Sequence, residues 1–247
     1  MNSQDITFPS PQENILYDEV LLYLAEKSEG GEVLRFWEAR EHFIVLGRIG
    51  KIEEDIKIDE AVRDNIPILR RFSGGGTVIQ GKGCLNYSFI LSKELRPEII
   101  DLSKSYRAIL GKVVAALEKL NVKAVFQPIS DVALAGSEKK ISGNAQHRGK
   151  KFILHHGTIL YDFNLSIIER YLTFPKSVPE YRRQRSHEEF VANVNCHSAE
   201  IKRELKAVFQ VEGDDRPLNS LQMECLTAFL RTKQPTVNSK DFLTLEK

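Results

Sequence analysis

The chain has 247 residues, 42% of them hydrophobic, and a formal net charge of +1. That length allows one α/β-type domain with a sizeable core, and the near-neutral charge gives no global attraction to nucleic acid or a membrane surface. No apolar run approaches the ~20 residues of a transmembrane helix. The N-terminus lacks a signal-peptide pattern, and the scattered Cys84, Cys196 and Cys225 form no zinc pair or disulfide framework. A cytoplasmic setting is expected.

Residues 13–27 predict an amphipathic helix, with Ile15, Val20, Leu21, Leu24 and Ala25 mostly on one face. Gly30 and Gly31 break it. Residues 33–37 and 42–46 are short, β-rich and suited to a hairpin, and a charged, helix-like stretch follows through Asp64. Residues 67–71, 77–80 and 85–91 read as strands between glycine-rich turns. Residues 103–120 give the clearest long helix, with Tyr106, Ile109, Leu110, Val113, Val114 and Leu117 at helical spacing. Candidate strands follow near 123–127, 131–135, 139–142, 151–154 and 157–162. Residues 165–173 and 198–209 look helical, as does 221–231 after a polar loop at 211–220, and 232–247 is expected to be loosely held. Strands crowd the middle too tightly for repeated βαβ crossovers. The expected class is α+β, with a mixed or antiparallel central sheet flanked by helices.

Four segments carry chemistry. In Arg70-Arg71-Phe72-Ser73-Gly74-Gly75-Gly76-Thr77, three glycines remove every Cβ and let a ligand approach the backbone, whose N–H groups can cradle an anion. The arginines can add charge-assisted bonds to phosphate or carboxylate. The Gly-Lys-Ser/Thr of a Walker A loop is missing, and a tight hairpin with solvated arginines explains the same letters about as well. Asn86, in Gly83-Cys84-Leu85-Asn86-Tyr87-Ser88, enters a strand and can bond a nucleobase or phosphate, or merely close the turn. In Lys139-Lys140-Ile141-Ser142-Gly143-Asn144-Ala145-Gln146, small residues follow a lysine whose ammonium can stabilise developing charge at a phosphate–carboxylate junction. Asp131 can hold Mg²⁺ beside that phosphate, or serve as a turn residue or helix cap. In Leu154-His155-His156-Gly157-Thr158, successive strand positions point to opposite faces, so the two histidines cannot share a metal. One should face the pocket and the other pack elsewhere.

Together RRFSGGGTV (70–78), GCLNYS (83–88), SDVAL (130–134), KKISGNAQ (139–146) and LHHGTIL (154–160) resemble the lipoate-protein ligase A and octanoyltransferase family of the biotin/lipoate protein ligase superfamily. The resemblance spans roughly residues 11–195. It implies a ligase-like α+β catalytic domain with a lipoyl pocket and, in the ligases, an adenylate site. In those ligases ATP and lipoate give lipoyl-AMP and pyrophosphate, and the acyl group passes to a lysine of an apo lipoyl domain or H-protein-like acceptor. Carried onto this chain, Arg71, Ser73, Gly74, Gly75, Gly76 and Thr77 line the acyl and phosphate region. Asn86 contacts the adenylate, and Asp131 sits near Mg²⁺. Lys140 bridges carboxylate and phosphate oxygens as the central catalytic residue. Ser142, Gly143, Ala145, His156 and Gly157 border the pocket.

Two departures shape the expectation. After a core of about 11–210, residues 211–247 are too few for the accessory domain of larger ligases, so a single catalytic domain is expected, self-sufficient or served by a separate accessory chain. Octanoyltransferases carry the acyl group on a cysteine thiolate beside the lysine; the segments preceding SDVAL and spanning 157–185 contain none. An ATP-dependent ligase is therefore preferred to a cysteine-dependent acyl transferase, and both to a non-catalytic binder of lipoylated domains. The local basic run Pro179–His187 suits a loop that closes over the adenylate or docks an acidic acceptor, though a solvated charged loop fits its arginines too.

Overall fold

The computed structural model describes residues 1–233. The chain opens on β1 (Asn2–Asp5) and enters helix α1 (Pro11–Glu26). Ser10 caps that helix by accepting from the Glu13 N–H, while the Glu13 carboxylate reaches back to the Ser10 N–H and Pro11 takes the first turn. Strands β2 (Val33–Glu38) and β3 (Phe43–Leu46) follow, then the short helices α2 (Ile52–Asp55) and α3 (Ile58–Arg63). Next come β4 (Ile68–Arg70), β5 (Val78–Gln80), β6 (Cys84–Ser92) and the long helix α4 (Leu102–Glu118), capped by Asp101. Strands β7 (Ala124–Gln127), β8 (Asp131–Leu134), β9 (Lys140–Arg148) and β10 (Phe152–Leu160) complete the sheets. Helices α5 (Ser166–Tyr171), α6 (His187–Phe190), α7 (Ser198–Val208) and α8 (Ser220–Thr232) end the described chain.

The strands form two sheets. Seven lie in the order β1-β2-β6-β10-β9-β8-β7, antiparallel throughout except for the parallel β1-β2 pair. Three more form a small sheet, β4-β3-β5. One face of the large sheet packs on α4 and α7, where Tyr87, Phe89, Leu110, Val113, Leu117 and Leu205 are buried together. The other face packs on α1, which buries Leu16, Val20, Leu21 and Leu24 against Ile90 and Leu154. The fold is thus α+β with a mixed central sheet between helices, as the composition of its elements predicts.

The structure departs from the sequence reading in five places. The runs 33–37 and 42–46 are not a hairpin: β2 joins the large sheet through β6 and β3 the small one. The runs 151–154 and 157–162 are one nine-residue strand, because Gly157 stays inside the ladder opposite Tyr87. Strand β9 continues to Arg148, well past 142. Helix α1 is buried on most of its circumference rather than along one stripe, since α8 covers what the sheet leaves open. The tail expected from 232 onward lies, beyond residue 233, outside the described residues. Strand β1, sequence NSQD, has no apolar alternation to betray it. It is held by β2 and by the C-terminal segment, where the Arg216 N–H donates to the Ser3 carbonyl and Ser3 Oγ to Asp215.

Beneath α1 lies a fully buried ion pair. Arg35 of β2 donates from Nη1 to Asp18 Oδ1 at 2.6 Å, with neither group meaningfully exposed. Burial alone would raise the Asp18 pKa, but the Arg35 charge and the His156 and Ser88 contacts outweigh it and hold the carboxyl below its usual range. Removing one partner of such a pair leaves an uncompensated buried charge. Asp18→Ala is expected to cost about 3–5 kcal/mol in urea unfolding. Adding Arg35→Met to it should recover much of that loss; an additive or larger loss would contradict the account.

Candidate active site

Cross-strand register gathers the chemistry-bearing residues. Asp131 of β8 lies opposite Gly143 of β9, Gly143 opposite Thr158 of β10, Thr158 opposite Asn86 of β6, and Asn86 opposite Trp37 of β2. A neighbouring row runs Ala145, His156, Ser88 and Arg35. Alternate residues share a face, so both rows lie on the side covered by α1 and the small sheet.

A β-bulge brings Lys140 to this face. Between β8 and β9 the register runs Asp131 to Gly143, Val132 to Ser142, then Ala133 to Lys140, leaving Ile141 as an extra residue. Ile141 and Ser142 therefore both turn toward α4: Ile141 is in that core, and Ser142 Oγ is 3.4 Å from Tyr87 Oη. Lys140 is returned to the opposite face. Its Nζ lies 2.8 Å from Asp131 Oδ1 and would be 2.8 Å from a Cβ at position 143, so Gly143 makes the room it occupies.

The glycine turn sits over the same place. A Cβ at Gly75, whose φ is +87°, would lie 3.4 Å from Ala145 Cβ and 2.9 Å from Arg71 Nη2. Gly74 and Gly76 have no heavy atom within 4 Å of an added Cβ, which leaves open backbone for a ligand. Arg71 is nearly fully buried, and its donors serve the turn itself. Nη2 donates to the Gly74 and Gly76 carbonyls at 2.7 Å each, Nε to Ser73 Oγ and the Gly74 carbonyl, and Nη1 to the Val45 carbonyl. None of these partners is a carboxylate, and burial pushes the guanidinium down to about 10. Arg70 likewise clamps the Gly47, Arg48 and Gly50 carbonyls. The paired arginines shape two adjoining turns, and Arg71 leaves a net positive charge beneath the glycines. Ser73 Oγ is 2.7 Å from His156 Nε2, and His156 Nδ1 faces Asp18 Oδ2 at 3.6 Å, which ties the turn to α1.

The two histidines part company as alternation requires. His155 is fully buried on the α4 face, with Nδ1 3.0 Å from Gln146 Nε2 and Nε2 3.3 Å from Asn144 Oδ1. Burial, with a smaller push from His156, drives its pKa down to about 3. Tyr87 Oη also donates to Asn144 Oδ1, at 2.5 Å, and Asn144 Nδ2 donates to the Ser130 carbonyl beside Asp131. Gly157 belongs to this network and not to the Lys140 face: a Cβ there would lie 1.9 Å from Asn144 Oδ1. Ser142 is on this side too. Thr77 is also apart, its hydroxyl donating to Asp55 Oδ2 at 2.6 Å. Asn86 lies within β6, not at the turn, and accepts from Thr158 Oγ1 at 2.9 Å. The structure thus assembles Lys140, Asp131, Gly143, Ala145, Arg71, Ser73, Gly75 and His156, and turns Ser142, Gly157 and Thr77 elsewhere.

Three contributors escaped the sequence reading. Tyr181, in the 3-10 turn Glu180–Arg182, donates to Asp131 Oδ2 at 2.7 Å, and burial, with the Asp131 charge behind it, raises its own pKa. Its basic loop was visible; which side chain would reach inward was not. Asn144 and Asp18 were hidden, although Asp18 lies one turn from Ile15, Leu21 and Leu22 on a face of the helix that is buried. Among the described residues no cluster of three acidic, histidine or cysteine side chains forms a metal site. Burial raises the pKa of Cys84, and desolvation raises those of Cys196 and Cys225 as well.

The lipoyl protein ligase A/B catalytic domain matches residues 10–210. The chain belongs to that family. A probable lipoate-protein ligase A of Mycoplasma pneumoniae is 31% identical over 196 residues, covering 78% of this chain and 56% of that protein. An octanoyltransferase LipM of an Exiguobacterium strain is 28% identical over 258 residues, covering 94% of this chain and 87% of that one. This lipoyl protein ligase family member therefore spans about half the length of the first lipoate-protein ligases it matches and most of the transferase. Among solved structures, a lipoate-protein ligase A bound with ATP superposes with TM-score 0.79 at 22% identity, covering 94% of both chains. The bipartite lipoate protein ligase of Thermoplasma acidophilum gives TM-score 0.79 at 23% identity over 94% of this chain and 92% of that one. These two share the fold. Among the described residues no helix is long and apolar enough to cross a membrane.

His155 supplies a test of the network behind the site. Its folded pKa of about 3 lies below the ordinary 6.5, so the unfolded chain takes up the proton first. The stability it contributes is complete above pH ~6.5 and falls as pH drops toward ~3, by up to about 1.4 kcal/mol per pH unit. Denaturant unfolding at pH 7 and pH 5 should show wild type losing more than a His155→Gln variant; equal losses would contradict this.

Proposed function

We propose that this family member is an ATP-dependent lipoate-protein ligase. The observation that supports the reading best is the Lys140–Asp131 pair, held by the β9 bulge on the sheet face that carries the glycine turn, whose Gly74 and Gly76 leave open backbone. In the first step a carboxylate oxygen of lipoate, or a related short acyl acid, attacks the α-phosphorus of ATP and the bond to pyrophosphate breaks. Lys140 lies between both anions and stabilises charge growing on the phosphate, while Asp131 keeps the ammonium in place. Arg71 and the glycine N–H groups hold the acid and phosphate region, and His156 and Ser73 fix the turn that presents them. Asn86 contacts the adenylate. Mg²⁺, held by Asp131 with phosphate oxygens, would offset further phosphate charge; a single protein carboxylate is in keeping with such sites. In the second step the ε-amine of an acceptor lysine attacks the acyl carbon, AMP leaves with the bonding pair, and the amine loses a proton. The acceptor is an apo lipoyl domain or an H-protein-like chain, with or without a separate accessory chain.

The extensive match to octanoyltransferases keeps a transferase as the second reading. It requires a thioester, and all three thiols are raised above the ordinary thiol pKa. Incubation with ATP, Mg²⁺ and lipoate should release pyrophosphate and leave a bound acyl-adenylate, and Lys140→Ala should slow this by about a hundredfold or more. An acyl adduct on a cysteine, lost in its serine variant, would instead establish the transferase. Unchanged activation in Lys140→Ala would reject the role given to the lysine.

A further inference from the structure

Apolar side chains left singly at a surface need no explanation. Among the described residues, though, the two most exposed large ones flank the same site: Ile49 at 81% and Ile129 at 74%. Ile49 is at the tip of the turn from Gly47 to Gly50, closed by the Gly50 N–H donating to the Gly47 carbonyl. That turn packs against the glycine turn. A Cβ at Gly47 would lie 2.0 Å from the Gly75 carbonyl oxygen, and the Arg48 N–H donates to the Ser73 carbonyl. Ile129 stands two residues before Asp131, in the turn that joins β7 to β8. Phe174, 44% exposed, links the two banks. Its neighbour Thr173 donates from its N–H to the Asp55 carbonyl and from its hydroxyl to the Glu54 carbonyl, in the helix just after the Ile49 turn. The Phe174 ring itself lies 4.5 Å from the guanidinium of Arg182, next to Tyr181.

These turns are built, not loose. Arg70 Nη1 donates to the Gly47 and Gly50 carbonyls at 3.0 and 2.7 Å, which fixes the turn that presents Ile49. On the other bank Gln127 pairs with Asp131, and Asn144 Nδ2 donates to the Ser130 carbonyl at 2.9 Å. Apolar side chains on backbone already ordered lose little freedom when a partner covers them. The rim also carries charge. Arg48, beside Ile49, is exposed, and among the described residues no carboxylate pairs with it. The transfer step says what must lie here. The acceptor amine has to come within bonding distance of an acyl carbon held beside Lys140, so the protein surface around that lysine must rest on these banks.

Resting on the ligase reading, we infer that Ile49, Phe174 and Ile129 form the docking rim for the acceptor protein, seating apolar side chains that flank its target lysine, while Arg48 meets an acidic side chain beside that lysine. Apolar contacts at the centre of such an interface carry most of its affinity, and a charge at its edge acts on encounter and salt dependence.

A single-turnover assay separates the two steps. The whole chain is charged with lipoate, ATP and Mg²⁺, then mixed with an apo lipoyl domain or an apo H-protein, and acyl transfer is read by intact mass. Both isoleucines are exposed, so the double variant Ile49→Ser with Ile129→Ser should fold. It should raise the acceptor concentration for half-maximal transfer about tenfold, while pyrophosphate release and the maximal transfer rate stay within about twofold. Arg48→Ala should flatten the rise of that concentration with salt. An unchanged half-maximal concentration in the double variant would overturn the rim and leave the ligase reading intact. An equal loss of pyrophosphate release, or a dimer that the double variant splits, would give these residues to activation, an accessory chain or a second copy, and overturn their role for the acceptor. A charged chain that passes its acyl group to neither protein would overturn that role too. No pyrophosphate release from the wild type would overturn the ligase reading and this inference with it.

Discussion

Arg35 has no route to water, and a buried guanidinium is tolerable only where its charge and donors are matched. Asp18 supplies the charge, and carbonyl and amide oxygens of Ile6 and Asn14 take most of the remaining donors. The pair therefore fixes α1, the chain after β1 and strand β2 to one another. It also reaches the site. His156 Nδ1 faces Asp18 Oδ2 at 3.6 Å, its Nε2 lies 2.7 Å from Ser73 Oγ, and the Ser73 oxygen accepts from Arg71 Nε. A turn of three glycines has almost no conformational preference of its own, and this chain of bonds gives it one.

The large sheet divides its polar groups between two faces, and the two sets do different work. Toward α4, Tyr87, Asn144, Gln146 and His155 satisfy one another in the core and end on the Ser130 carbonyl. They position the start of β8 without touching the glycine turn. Toward α1 and the small sheet, Lys140, Asp131 and His156 keep some exposure, and several nearby donors lack partners. The bulge in β9 is what lets one strand serve both. Strict alternation would have put Lys140 and Ser142 on one face, and the ammonium would have lain across the sheet from the glycine turn.

Much of this could be read from the letters, because the long apolar patterns have one stable solution. Helix α4 shows a helical stripe, and β6 is a continuous buried run. The glycine turn, Lys140 and the split of His155 from His156 follow from local chemistry and the two-residue strand period. What stayed hidden depends on partners distant in sequence. Strand β1 is polar and exists only because β2 and the 215–217 segment hold its backbone. The separation of β2 from β3 is decided by β6 and β4, not by the residues between them. Gly157 looked like a pocket residue, yet it is a glycine because Tyr87 and Asn144 meet where its side chain would be. A bulge leaves no mark in hydrophobicity at all, so the face that Lys140 takes was beyond pattern reasoning.

The charges at the centre explain why a ligand is needed to finish the site. Arg71 and Lys140 contribute two positive charges, and Asp131 answers only one. Asp131 is itself held twice, by Lys140 on Oδ1 and by Tyr181 on Oδ2. On the proposed ligase reading, an arriving carboxylate and phosphate would meet that surplus charge, with Tyr181 still holding Asp131 in place. On that reading Asp131 would remain beside the ammonium and the phosphate, with oxygen lone pairs open to a divalent cation. A thiol chemistry would need the reverse arrangement, a nucleophile made more acidic by the same positive surplus. The nearest cysteine in sequence to Asn86, Cys84, is driven the other way by burial.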